Sequence, residues 1–119
     1  MKNKLIAIFE DDQVNRFIYQ RMINKLDCQV HIFDNPQAGI EQARSIPFDV
    51  VLIEIHFWKN FGGITILDRL KEVLPPTTSF IAMTSLLQEG DLEKVLISGF
   101  TMLVEKPVVF SKLNICSEV

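Results

Sequence analysis

The chain has 119 residues, 48% of them apolar and 23% charged, with a formal net charge of −3. That length fits one domain, residues 1–119, with a real core. The composition excludes a disordered chain, and mild acidity without a Lys/Arg-rich run argues against direct nucleic-acid binding.

Leu5-Ile6-Ala7-Ile8-Phe9 reads as a first strand, closed by Glu10 and Asp11. Val14, Phe17, Ile18, Met22 and Leu26 recur at helical spacing and predict a helix over 13–26, with Asp12 as its N-cap. Val30-His31-Ile32-Phe33 is a second strand. Asp34-Asn35-Pro36 starts a second helix, which runs to about Ser45. Residues 49–53 are uniformly apolar after Asp49, as in a strand covered on both faces, and Glu54 follows. Beyond the Gly62-Gly63 loop, Ile64, Leu67, Leu70 and Leu74 mark a third helix, stopped by Pro75-Pro76. Residues 79–83 form a fourth strand ending at Thr84. A fourth helix covers 87–98 with Gly99 as its C-cap. Residues 101–104 form a fifth strand, followed by Lys106 and Pro107. Val109, Leu113 and Cys116 mark a short last helix.

Strand and helix therefore alternate five times. This predicts a parallel sheet layered between helices, with right-handed crossovers. In such sheets the site lies at the carboxyl ends of the strands, near the point where strand order reverses. Glu10, Asp11, Glu54, Thr84 and Lys106 all fall at such ends. Three carboxylates suit a hard cation such as magnesium, and a lysine and a threonine hydroxyl could hold a phosphoryl oxygen.

The motifs Ile8-Phe9-Glu10-Asp11-Asp12, Val14-Asn15-Arg16, Phe48-Asp49-Val50-Val51-Leu52-Ile53, Gly63, Ala82-Met83-Thr84-Ser85 and Glu105-Lys106-Pro107 stand in order at fitting spacing. Together they resemble a receiver domain of two-component response regulators over essentially the whole chain. Val14-Asn15-Arg16 is similar to receivers attached to hybrid sensor kinases. The resemblance implies a flavodoxin-like (βα)5 fold with a five-stranded parallel sheet. It also implies a cytoplasmic signalling module rather than an enzyme. Its partners would be a sensor histidine kinase or phosphotransfer protein and a downstream target, with a homodimer also compatible. Carried over, Asp11 would bind magnesium directly and Glu10 through water, with Glu54 completing the metal cup. Thr84 would sense the phosphoryl group and Lys106 would pair with it.

Glu54 falls on the position of the phosphorylated aspartate. Its extra methylene carries the carboxylate outward by about an ångström, and a misplacement of about 1 Å costs on the order of 100-fold in rate. Efficient phosphorylation is therefore not expected. Either Glu54 reaches Lys106 and Thr84 as a partial phosphoryl mimic, or the site is degenerate and the domain is a docking surface. The second reading is preferred, because a carboxylate has less charge and fewer acceptors than a phosphoryl group. Leu103 replaces the aromatic residue that receivers carry there and is expected to pack on the last helix. The loop His56-Phe57-Trp58-Lys59-Asn60-Phe61 is rich in aromatics, suited either to an interface or to folding back on the sheet. His31 and His56 are expected to be structural or solvent-facing, and Met83 and Met102 to be core.

Two alternatives stay open: a phosphorylatable, magnesium-dependent receiver that tolerates glutamate, and a small magnesium-dependent phosphohydrolase. Cys28 and Cys116 lie far apart with no metal-ligand or CxxC spacing and are expected to be reduced packing residues. The apolar run before Glu10 is too short for a signal peptide, and no stretch is long enough to span a bilayer, so no membrane partner is expected.

Overall fold

The computed structural model describes residues 4–58, 62–113 and 115–116. Lys59, Asn60 and Phe61 of the aromatic loop lie outside the described residues, as do Asn114 and residues 117–119. Five strands form one parallel sheet: β1 (Leu5–Phe9), β2 (Gln29–Phe33), β3 (Val50–Glu54), β4 (Ser79–Thr84) and β5 (Met102–Glu105). Their spatial order is β2-β1-β3-β4-β5, so the order reverses between β1 and β3.

Period-two alternation divides the apolar runs between two cores. Ala7, Phe9, Val51, Ile53, Phe80 and Ala82 face one side. There they meet α2 (Pro36–Ala43), α3 (Gly62–Lys71) and α4 (Asp91–Ser98) through Ile40, Leu67, Leu70 and Val95. Ile6, Ile8, Val50, Leu52, Ile81 and Met83 face the other side, under Tyr19 and Met22 of α1 (Gln13–Ile23) and under Phe110. Two covered faces explain why the strands lack polar alternation. The architecture is a flavodoxin-like α/β fold.

Capping chemistry sets the helix starts. Asp12 accepts a hydrogen bond from the Asn15 amide at 2.9 Å, and Asn35 accepts from Gln37 and Ala38 ahead of α2. Gly99 ends α4 at φ +114°, a left-handed cap. Gly90, also left-handed at φ +88°, delays α4 to Asp91, four residues later than the apolar periodicity predicts.

Several expectations need correction. The last element is a 3-10 turn, Phe110–Leu113, so four α-helices rather than five are found among the described residues. Leu103 packs toward the α2–α4 side, opposite the last turn, because alternation along β5 sends Val104 rather than Leu103 to that turn. Met102 is 41% exposed, since it opens an edge strand rather than crossing the core. Cys28 and Cys116 are disulfide-bonded, with Cα atoms 5.9 Å apart. Their distance along the chain gave no sign that the start of β2 and the chain's last described residues meet on one face. No helix among the described residues is long and apolar enough to cross a membrane.

Candidate functional site

Because β1 and β3 are neighbours in register, Glu10 and Glu54 meet at the carboxyl edge where the strand order reverses. Lys106 comes to them from the end of β5. Its Nζ lies 2.8 Å from Glu10 Oε1 and 2.5 Å from Glu54 Oε1. All three side chains are buried, at 5%, 0% and 7% exposure for Lys106, Glu10 and Glu54. Backbone amides take the remaining carboxylate oxygens: Asp12 N–H donates to Glu10 Oε2 at 3.2 Å, and His56 N–H donates to Glu54 Oε2 at 2.9 Å. Burial raises the Glu10 carboxyl above its ordinary value despite the bonds to Lys106. Burial alone would lower the Lys106 ammonium, but hydrogen bonds to Glu10 and Glu54 outweigh it and raise it.

Asp11 is held differently. Its Oδ2 accepts from the Trp58 amide at 2.8 Å. Trp58 adopts φ +62°, a left-handed conformation uncommon for a bulky residue, and its ring is 60% exposed. Phe57 beside it is buried in the α2–α3 core. Of the two readings of the aromatic loop, Phe57 follows the one in which it folds back, and Trp58 stands exposed.

Thr84 is placed otherwise than expected. Its hydroxyl donates to the Leu86 carbonyl at 3.2 Å and accepts from the Leu86 amide at 3.3 Å. It is buried and does not line the cleft. That cleft, of about 450 Å³, is lined by Glu10, Asp11, Asp12, Asn15, Glu54, His56, Ser85 and Lys106.

The carboxylates do not fit a magnesium ion in this arrangement. Glu10 and Glu54 are bound to Lys106 and to backbone amides, and Asp11 is bound to Trp58. Among the described residues no group of three His, Cys, Asp or Glu side chains is arranged to hold a metal. The cation that gathers Glu10 and Glu54 is the ammonium of Lys106.

Sequence reasoning missed the amides of His56 and Trp58, which position two of the acids, and Arg16, whose Nη1 donates to the Glu10 carbonyl at 3.1 Å. Amides carry no sequence signal. Arg16 lies one turn beyond the Asp12 cap and was legible only as part of Val14-Asn15-Arg16. Two polar residues away from the cleft have structural roles. Asp49 accepts from the Leu5 amide at 2.9 Å, at the opposite edge of the sheet. His31 packs against Phe33 and Phe48.

Comparison with known proteins places this geometry. The family model described as "Response regulator receiver domain" matches residues 6–116. The chain is 28% identical over 112 residues to a hybrid signal transduction histidine kinase G of Dictyostelium discoideum, covering 92% of this chain and 3% of the kinase. It is 25% identical to two-component response regulator 24 of Arabidopsis thaliana, covering 94% of this chain and 81% of that protein. A similar fold occurs in the co-crystal structure of the Saccharomyces cerevisiae histidine phosphotransfer signaling protein Ypd1 with the receiver domain of its downstream response regulator Ssk1. The TM-score is 0.74 at 19% identity, covering 94% of this chain and 84% of that chain. The chain thus spans a small fraction of the Dictyostelium kinase and most of the Arabidopsis regulator. By sequence and by fold, this chain belongs to the response regulator receiver domain family, the receiver module of two-component phosphorelay signalling.

Proposed function

We propose that this receiver signals through protein contacts without accepting a phosphoryl group. One observation carries the reading: Glu54 Oε1 lies 2.5 Å from the Lys106 ammonium, so the lysine expected to hold a phosphoryl oxygen already holds a carboxylate. Mimicry of the phosphorylated state is not supported, because the Thr84 hydroxyl is engaged by Leu86 rather than turned toward Glu54. A degenerate, ion-paired site is supported instead.

Apolar side chains stand outward near the cleft. Val14 and Phe17 of α1 are 65% and 60% exposed, and Trp58 is equally so. Large exposed aromatic and aliphatic groups at a rim suit a protein partner. A histidine phosphotransfer protein or a kinase is the partner class, on the precedent of the Ypd1–Ssk1 receiver complex. No magnesium-dependent step enters this reading, since the acids are committed elsewhere.

The test is incubation with acetyl phosphate and magnesium followed by intact mass measurement. No phosphoryl adduct is expected. A stoichiometric adduct mapped to Glu54 overturns the proposal in favour of a phosphorylatable receiver, and catalytic turnover of the phosphate overturns it in favour of a hydrolase.

A further inference from the structure

The stretch after Pro107 is fastened unlike any other part of the chain. Among the described backbone–backbone hydrogen bonds, none joins residues 108–113 or 115–116 to the sheet or to α1. The Lys112 amide bonds only to Val109, within the stretch itself. Three other things hold it down. The Val108 amide bonds to the Tyr19 phenol oxygen of α1. Val108, Phe110 and Ile115 are buried at 2%, 1% and 7% exposure against the α1 side of the sheet. Cys116 is bonded to Cys28, just ahead of β2. A groove of about 480 Å³ runs between the stretch and the last turn of α1, lined by Arg21, Met22, Lys25, Val109 and Ser111 among others. The stretch therefore meets α1 through Phe110 at the floor of the groove, while Val109 and Ser111 stand at its wall.

We propose that the Cys28–Cys116 bond is a thiol–disulfide exchange site, and that its reduction by a small thiol or dithiol releases residues 108–113 and 115–116 from the α1 face. Access favours attack at Cys28, which is only half-buried, whereas Cys116 is 4% exposed. The reductant thiolate forms a new bond to Cys28 Sγ as the Sγ–Sγ bond breaks. The electron pair leaves on Cys116 Sγ, which takes a proton. A second reductant thiolate resolves the mixed disulfide at Cys28. The balance is two protein thiols gained and one reductant disulfide formed. A low-molecular-weight disulfide drives the reverse reaction.

Release acts locally, because each neighbouring strand pair holds its own ladder without the crosslink. The sensor of release is Tyr19, the sole tyrosine of the chain. Its ring meets Phe110 edge-on at 6.1 Å, and its hydroxyl donates to Met83 Sδ at 3.6 Å. Losing Phe110 uncovers that ring.

The experiment titrates the full chain with dithiothreitol. Thiols are counted by maleimide labelling and mass, Tyr19 is followed by its NMR ring resonances, and backbone amides by hydrogen exchange. Two thiols should appear together. The Tyr19 resonances should shift, and exchange at the Val108 amide, which bonds to the Tyr19 oxygen, should quicken by on the order of 100-fold, the scale on which a disulfide biases a closed loop. Amides of β1 and β3 should keep their protection, and oxidised glutathione should restore the starting state. The Cys28→Ser variant should match the reduced protein. Three outcomes overturn the proposal. Both thiols stay free in oxidised glutathione; reduction leaves Tyr19 and the Val108 amide unchanged; or β1 and β3 lose protection in step with them, making the bond a staple of the whole fold.

Discussion

The ammonium of Lys106 lies 2.5 Å from Glu54 Oε1, joining the ends of β5 and β3 although β4 stands between them. The lysine reaches on to Glu10 at the end of β1. It thus spans the carboxyl edge and bypasses Thr84, which closes β4 and bonds to its own loop. One buried cation with two buried acids makes this edge sensitive to the loss of any member.

Replacing Lys106 by methionine keeps the stem's volume and leaves two buried carboxylates without a cation. Such a break costs about 3–5 kcal/mol, because the remaining charges are uncompensated. Burial already raises Glu10, and losing Lys106 raises it further. A raised carboxyl binds its proton more tightly in the folded state, so the variant gains stability as pH falls. Urea unfolding should show the Lys106→Met deficit shrinking as pH falls from neutrality through the raised Glu10 value. A deficit independent of pH would mean that the loss comes from packing of the lysine stem and not from uncompensated carboxylate charge.

Shortening Glu54 to aspartate draws its carboxylate back by one methylene. Lys106 then keeps only Glu10 as its carboxylate partner, and space opens where the Glu54 carboxylate stood. Freeing that carboxylate from Lys106 also removes part of the arrangement that leaves no place for magnesium in the parent, so the Glu54→Asp variant should take a phosphoryl adduct from acetyl phosphate and magnesium faster than the parent. The expected contrast in initial rate is on the order of 100-fold, the scale set by a misplacement of about 1 Å. Mass spectra of both proteins over one time course decide it.

The sheet was legible because its strands are buried on both faces and so read as uninterrupted apolar runs. Each predicted strand falls within one residue of its observed bounds. The convergence of Glu10, Glu54 and Lys106 followed from that alternation alone. What escaped depends on backbone conformation and on remote contact. Gly90 could be read as a helix residue or as a left-handed break, and only its φ separates the two. Thr84 sits where expected, but its rotamer and partner answer to the Leu86 backbone. The Cys28–Cys116 bond needs the whole topology before the two thiols are neighbours.

Gly63 opens a prediction of opposite sign to helix propensity. Alanine in a helix is normally favoured over glycine by about 1 kcal/mol. Here a Cβ would lie 2.5 Å from the Glu54 carbonyl oxygen and 2.8 Å from Ile55 Cα, both backbone atoms of the β3 end. Neither can move without shifting the strand that carries Glu54. The Gly63→Ala variant should therefore lose about 1–3 kcal/mol, the usual cost of overpacking. A urea midpoint equal to or above the parent's would show that α3 can slide on β3.

Tyr19 governs the alkaline limb of stability. Burial pushes its phenol up to about 12, from an ordinary value of 10.0, with the Glu10 charge adding to the effect. Above pH 10 the unfolded chain loses this proton while the folded chain retains it, so stability falls as pH climbs toward 12. At about 1.4 kcal/mol per unit, the loss approaches 2–3 kcal/mol. The raised Lys106 acts in the same direction: its ion pairs are intact below 10.5 and are lost as pH rises through its folded value. The Tyr19→Phe variant separates the two contributions, since it removes the phenol and leaves the ion set. Its urea midpoint should fall less steeply than the parent's between about pH 9 and about pH 11. In the parent, the tyrosinate absorbance should rise well above the pH at which a solvated phenol titrates. A Tyr19 midpoint at the ordinary value would place its hydroxyl in water and remove the cover that Phe110 gives it.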